Sequence, residues 1–439
     1  MRCLVFLAAW AFSGVLPTST SGAEPIKPVR VETISPIRNA TFNKNGQAKE
    51  RKQGGNPREV NGMLIFEGSK DGDRQVDPQI AVGPKHILHG TNSGLVIYDK
   101  KGNFVQGVRQ NAFNDGIDPK LYYDIHNKIY VFDLWVYWDK AKTKPVNISA
   151  SETDDPTKGW NTYPVPAPGG VDGGGIGHSR KWVGYSFPGG PEQTFVMSSA
   201  AVKSGKPAKV YHFAGNLGHP VNTLDAIDDL YFIALRSRDI VFTRVGDAGD
   251  GTPVVKEVIS KPHGFANFGY PPPSPQKGTK LTVASGDRNP KSLVVYHGSV
   301  WFSQAVNVNG RSAVQWHQFK LDGTKVQSGL IAHPTNSYIQ TTLAVNKNQD
   351  VLIGFQETGP DMFVSPRCAL HKATHKPGEV GEIIKLGEGR GATAGGPWGD
   401  YSGTVVDSEN MLDLWTIQSI ASDKGKGETV IVKIPGTGK

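Results

Sequence analysis

One unit recurs along most of this chain. An Asp-led start opens a short apolar strand, a turn of Gly, Asn or Asp follows, and further strands return beside it. The clearest copy is Trp398-Gly399-Asp400-Tyr401-Ser402-Gly403, continuing through Thr404–Asp407 to Leu412-Asp413-Leu414-Trp415-Thr416-Ile417-Gln418. Looser copies open at Asp77, Asp118, Asp172 and near Asp225, and others centre on Leu293–Tyr296 and Gln340–Val345. Such a repeat constrains folding strongly, because each copy has apolar faces that only a neighbouring copy can cover.

Strands in this pattern are short and bounded by Gly, Pro, Asn and Asp, and helical periodicity is nearly absent. Two all-β architectures fit, a β-propeller or a set of β-sandwiches. The recurring three-to-four-strand pattern favours the propeller. Units of roughly 50–55 residues predict seven blades, with six or eight as alternatives. An isolated apolar strand at Asn61–Gly68 precedes the first unit. It is expected to complete the last blade and close the ring.

Residues 1–23 have the pattern of a secretory signal: Arg2, an apolar run from Cys3 to Leu16, and small residues at Ser21-Gly22-Ala23. The run is too short for a membrane span, and no later stretch is long and apolar enough for one. The protein is therefore expected to be secreted or periplasmic. Cleavage after Ala23 leaves Cys368 as the one cysteine, so no internal disulfide forms and packing must hold the fold. Residues 24–60, rich in Pro, Lys, Arg, Asn and Gly, are predicted to be a basic flexible arm. Residues 61–439 form the propeller domain. The formal net charge of +8 suits loose contact with anionic surfaces. No nucleic-acid motif accompanies it, and the chain is expected to act as a monomer.

Several strings carry a resemblance. They are Asp77-Pro78-Gln79-Ile80-Ala81-Val82-Gly83, Ser151–Trp160, Gly298-Ser299-Val300-Trp301-Phe302, Asn307–Arg311, Leu343–Asn346 and Trp398–Gly403. Together they resemble a mostly uncharacterised group of secreted bacterial β-propeller proteins, distantly similar to sialidase-type repeat propellers. The resemblance implies fold and export rather than an activity. Two positions depart from the group. Asp172-Gly173-Gly174-Gly175-Ile176-Gly177 stands where an Asp-Tyr-Pro type start is usual, and Pro397 stands where an Arg precedes the Trp.

In a propeller the first strand of each blade lines the central channel, so residues before those strands crowd one face. This predicts a ligand-binding cluster of Asp77, Asp118, Asp172, Asp225 and Asp400, with Tyr401, Tyr338 and Arg288 beside them. Crowded carboxylates must bind a cation, pair with a base or hold protons. An oxygen-rich ring suits Ca²⁺, and Asp77, Asp118 and Asp400 are the expected metal ligands. Each aspartate also fits the ordinary role of a turn residue accepting backbone N–H groups.

No Gly-x-Ser-x-Gly elbow or phosphate loop is present, and no histidine pair has zinc spacing in a helical setting. A sialidase would need an arginine cluster with a Tyr/Glu pair; Tyr401 and Glu357 exist, but no arginine-led first strand does. The expectation is a glycan, protein or other ligand bound at one channel mouth without catalysis. The alternative is a glycoside hydrolase, sialidase-like enzyme or lyase using the channel aspartates and Tyr401.

Overall fold

The computed structural model describes residues 24–39, 54–70, 75–114, 116–135, 144–167 and 172–436. The signal-like stretch 1–23 and residues 40–53 of the expected arm lie outside these residues. Among the described residues the secondary structure is nearly all β, with one helix at Ser199–Ser204 and a 3-10 turn at Gln110–Phe113. None of its helices is long and apolar enough to cross a membrane.

The strands form six hydrogen-bonded sheets. Five are antiparallel meanders of four or five strands, over residues 79–108, 117–167, 219–262, 337–385 and 403–434. The sixth has ten strands and contains two four-strand meanders, 175–213 and 291–331. They are joined through the two-residue strand Asn222–Thr223, which pairs in parallel with His178 on one side and Val294–Val295 on the other. Backbones approach very closely there: a Cβ on Gly177 would lie 2.7 Å from the Pro220 carbonyl carbon.

Apolar clusters between successive meanders arrange these sheets as a propeller. Leu88 and Ile97 pack with Phe132 and Trp160. Val131 and Tyr163 pack with Tyr185 and Phe195, Trp182 and Val196 with Phe232 and Val241, and Ile233 and Phe242 with Val300 and Phe319. Trp301 and Trp316 meet Tyr338 and Ile353, and Leu352 and Cys368 meet Leu414 and Val432. The circle closes where Trp415, Ile417 and Ile431 pack on Ile80, Val82 and Tyr98. Each cluster is a face that one sheet cannot bury alone, so the ring stands on side-chain packing between neighbours.

Closure also uses a backbone ladder. Met63–Glu67 pairs with the 427–434 strand, placing an N-terminal strand on the C-terminal sheet. The flexible-arm expectation is corrected for residues 24–39 and 54–60. Ile26 bridges Val255, Arg30–Ile34 pairs with Ala208–His212, and Ile37–Asn39 pairs with Trp160–Thr162. Gly55–Val60 pairs with Met63–Glu67. The polar composition that suggests disorder instead suits edge strands, whose outer faces stay wet. Cys368 is free and fully buried, and burial pushes its thiol well up, as expected of an unreactive core cysteine.

The Pro-rich segment 271–275 keeps Pro273 and Pro275 exposed but is anchored to the channel wall. Ser274 is buried and pairs with Val283, and the Ser285 hydroxyl donates to the Pro272 carbonyl at 2.6 Å. Gln276 holds Thr393 through both ends of its amide. This segment walls one side of the channel.

Candidate binding site at the channel mouth

The first strands of the sheets surround an axial cavity of about 1430 Å³. Its sleeve is apolar, with Ile80, Val82, Ile176, Leu293, Leu343 and Val405 on the wall. Residues in and just before the first turns of these strands form a charged mouth containing Asp118, Lys120, Asp172, His219, Asp287, Lys291, Asp400 and Tyr401.

A left-handed backbone residue recurs at the strand starts. Asp77, Asp118, Ser292 and Gln340 have φ between 45° and 57°, while glycines 173, 218 and 399 hold the corresponding turns. The bend turns each chain from the outer edge of one sheet into the channel, where its next side chains meet those of other sheets. Asp tolerates this conformation better than most residues.

Side-chain bonds lace the starts together. Asp77 accepts the Asp400 backbone N–H on Oδ1 at 2.5 Å and the Asn92 amide on Oδ2 at 2.6 Å. Asn92 in turn accepts the Asp118 N–H at 2.7 Å, and Asp118 Oδ2 accepts the Trp135 indole N–H at 2.9 Å. Gln75 donates to Asp400 Oδ2 at 3.1 Å. The Trp398–Gly403 string is explained residue by residue. Trp398 fills a core with Val283, Ile339 and Val364. Gly399, at φ 148°, lets Asp77 approach: a Cβ there would lie 3.1 Å from its Oδ1. Tyr401 presents its ring to the Lys120 ammonium, 4.4 Å from the centroid. The Ser402 hydroxyl donates to the Gln340 carbonyl at 2.9 Å, and its own carbonyl accepts from Gln79. A Cβ on Gly403 would press on Ile80 at 3.0 Å.

Burial and like charge dominate the electrostatics. Burial raises the Asp77 pKa well above the usual carboxylate range, and the Asp400 and Asp118 charges add to it. Burial and Asp172 raise Asp118, against Lys120. Asp172 is raised by burial and Asp400; Asp400 is raised by burial, Asp118 and Asp287, against Lys291 and Lys120. Asp133, fully buried with Oδ1 accepting the Lys120 N–H at 2.9 Å, is raised to about 6 by burial. Burial and Lys291 lower His219 to about 4, so its ring is neutral at neutral pH. The Tyr401 phenol is pushed far up by burial and the surrounding carboxylates. Its buried hydroxyl has no hydrogen-bond partner among the described residues.

The structure thus brings Asp77, Asp118, Asp172, Asp400 and Tyr401 together, Asp77 standing just behind the wall. Three expected residues are elsewhere. Asp225 lies beyond the start of its sheet, which begins at His219, and its carboxylate caps the His297 and Gly298 N–H groups at 3.0 and 2.8 Å. Tyr338 is buried between sheets, with Phe355 at 4.7 Å and its carbonyl accepting from Ser312. Arg288 flanks the mouth without lining it, donating to Asn267 at 2.5 Å and lying over Tyr270 at 5.5 Å.

The Ca²⁺ expectation on Asp77, Asp118 and Asp400 meets no supporting geometry. Among the described residues no group of three or more His, Cys, Asp or Glu is placed to hold a metal ion. Asp77 accepts the Asp400 N–H and the Asn92 amide, Asp118 accepts the Trp135 indole N–H, and Asp400 accepts the Gln75 amide. Sequence reasoning missed Lys120, His219, Asp287, Lys291 and the exposed rim tyrosine Tyr270. One signal was present: Asp287 precedes Arg288 and is followed by Pro290, close to the Asp-Pro pattern at 77–78 and 118–119.

No family model matches this chain, and no curated protein matches it. Solved structures do. A protein of unknown function from Dyadobacter fermentans aligns at a TM-score of 0.41 and 10% identity, covering 93% of this chain and 99% of that one. A neuraminidase-like protein of A/little yellow-shouldered bat aligns at 0.37 and 11%, covering 73% and 98%. An alpha-L-arabinofuranosidase from Clostridium thermocellum aligns at 0.32 and 13%, covering 77% and 95%. All fall below a TM-score of 0.5, and the propeller arrangement stands on the strand pairings and closed circle of cores described above.

Proposed function

We propose that this protein is an exported seven-bladed propeller that holds a ligand in its axial cavity, at the charged mouth, without transforming it. The blade number counts the two meanders of the ten-stranded sheet separately, supported by a left-handed turn at each of seven strand starts. Export is supported by the Arg2, apolar-run and Ser21-Gly22-Ala23 pattern. The observation that carries binding is the cavity itself. It is large and mainly apolar, with a few polar and charged side chains converging on it, the usual character of a small-molecule site. Asp77 and Asp118 hold neighbouring N–H groups, a positioning role rather than a chemical one.

A second reading is glycoside hydrolysis. Asp172 and Asp400 both face the cavity, and each has its pKa raised, the environment a general acid requires. One paired experiment separates the readings: a glycan and metabolite binding screen alongside turnover of aryl glycosides by wild type, Asp172→Asn and Asp400→Asn. Binding without turnover is the expected result. Turnover abolished in Asp400→Asn would establish the enzyme instead.

A further inference from the structure

We infer that the N-terminal segment 26–39 is a proton-released strap, held across the outer edges of three sheets by a clasp around His212 and let go when that ring is charged. Ile26 bridges Val255 on the 219–262 sheet, Arg30–Ile34 pairs with Ala208–His212 on the 175–213 sheet, and Ile37–Asn39 pairs with Trp160–Thr162 on the 117–167 sheet. Each contact is short, and the apolar anchors are slight. Ile26 and Ile34 are only partly buried, while Val29 and Val31 face solvent. The hold on the middle sheet therefore leans on polar contacts.

Those contacts surround one imidazole. Arg30 stands opposite His212 in the ladder, and Glu32 lies diagonally across the same face. His212 is buried, its Nδ1 is 3.1 Å from Arg30 Nη2, and its Nε2 is 2.7 Å from Glu32 Oε1. A guanidinium can only donate and a carboxylate only accept, so this arrangement requires a neutral ring with its proton on Nε2. Glu192, on the turn before Thr194–Ser198, accepts from Arg30 Nε at 2.7 Å and stands 3.7 Å from Nδ1. Arg30 also pairs with Glu32 at 2.7 Å, and the Phe195 ring lies 6.0 Å from the imidazole.

Two strap residues thus grip both nitrogens of a buried, neutral histidine. Protonation removes the Nδ1 lone pair that Arg30 uses and sets two cations against each other. Burial first and Arg30 second hold the ring's pKa below its ordinary 6.5, outweighing Glu32 and Glu192. With the strap lifted, Arg30 and Glu32 leave and water reaches the ring. Protons therefore bind the released state more tightly, so the strap is firmest above pH 6.5 and loosens as pH falls below it. Release uncovers the backbone groups along the Ala208–Phe213 edge.

Amide hydrogen exchange of the full chain from about pH 7.5 to about pH 5, each rate divided by the intrinsic rate at that pH, tests this. In segment 29–34, where the Val29 N–H donates to the His212 carbonyl at 2.8 Å, the corrected rate should rise severalfold toward the acid end. The ceiling is about 30-fold, set by a histidine of ordinary pKa charging over about 1.5 pH units. Strand Thr194–Ser198, further inside the same sheet, should not change. His212→Gln, which keeps a donor and an acceptor but does not titrate, should flatten the rise. Glu32→Gln removes a carboxylate that favours the charged ring and should enlarge it. Arg38→Gln, which breaks the exposed pair with Glu152, should follow wild type. A flat wild-type profile would overturn the inference, as would an undiminished rise in His212→Gln. If His212→Gln does not fold, Glu32→Gln decides: a smaller rise would make Glu32 the titrating group and overturn the inference. Equal loosening of 194–198 would mean that the whole sheet opens rather than the strap, and would overturn it too.

Discussion

Aspartates at the channel mouth and aspartates on the outer turns use the same local chemistry and reach opposite electrostatic states. On the outer edge, Asp99 accepts the Lys101 and Asn103 N–H groups, both at 2.9 Å, and its pKa is lowered, with the Asn103 bonds and Lys101 outweighing its slight burial. Asp247 accepts Gly249 and Gly251 and pairs with Lys181, which lowers it to about 2. At the mouth, Asp77 also accepts a backbone N–H, from Asp400, yet its pKa rises. One hydrogen bond offsets little when burial removes water and two more carboxylates stand close by. A turn aspartate is therefore stabilising or costly according to what the rest of the chain packs against it.

The largest test of this contrast is Asp77→Ala. It strands the Asp400 N–H and the Asn92 amide inside the wall, at a cost of about 3 kcal/mol. Urea unfolding measures it, and a loss below about 1 kcal/mol would mean the mouth is not held by this carboxylate.

Asp133→Asn comes next, through pH. A folded-state pKa of about 6 against an ordinary 3.8 means the native state holds this proton more tightly than the unfolded chain does. Its stabilising effect is complete below pH 3.8 and is lost as pH rises through 6, for a total of about 3 kcal/mol. The variant should match or trail wild type near pH 4 and exceed it by about 2–3 kcal/mol at pH 7.5. His219, lowered to about 4, acts with the opposite sign over pH 4–6.5 in both proteins, so the difference between them isolates Asp133. Equal pH slopes would show the carboxyl to be well solvated.

Gly399→Ala should cost about 1–2 kcal/mol, since φ 148° disfavours any Cβ and the methyl would press on Asp77. Thermal unfolding reads this loss. The smallest effect belongs to the outer edge. Asp247→Asn should shift Tm by no more than about 2 °C, a shift that 0.5 M salt reduces and that disappears below pH 2. A larger, salt-insensitive shift would erase the distinction between the two regions.

Much of this arrangement is legible in the chain. The Asp-led starts at 77, 118, 172 and 400 share one mouth, and Met63–Glu67 joins the last sheet. Asp225 and Tyr338 misled because both lie near a strand start in sequence. The turn at Gly218 opens that sheet earlier, and Tyr338 precedes the left-handed Gln340. Lys120 and Lys291 carry no motif; only their position inside the ring makes them counter-charges. The arm at 24–39 is polar because edge strands keep a wet face, which composition cannot distinguish from disorder.

The sequence by itself determined the strands, their repeat and the turn residues, since pleat alternation and left-handed Asp, Asn and Gly positions are local properties. Tertiary structure alone decided which carboxylates lose their water and face one another. That depends on ring closure, which sets side chains hundreds of residues apart within hydrogen-bonding range, as Asp77 and Asp400 show.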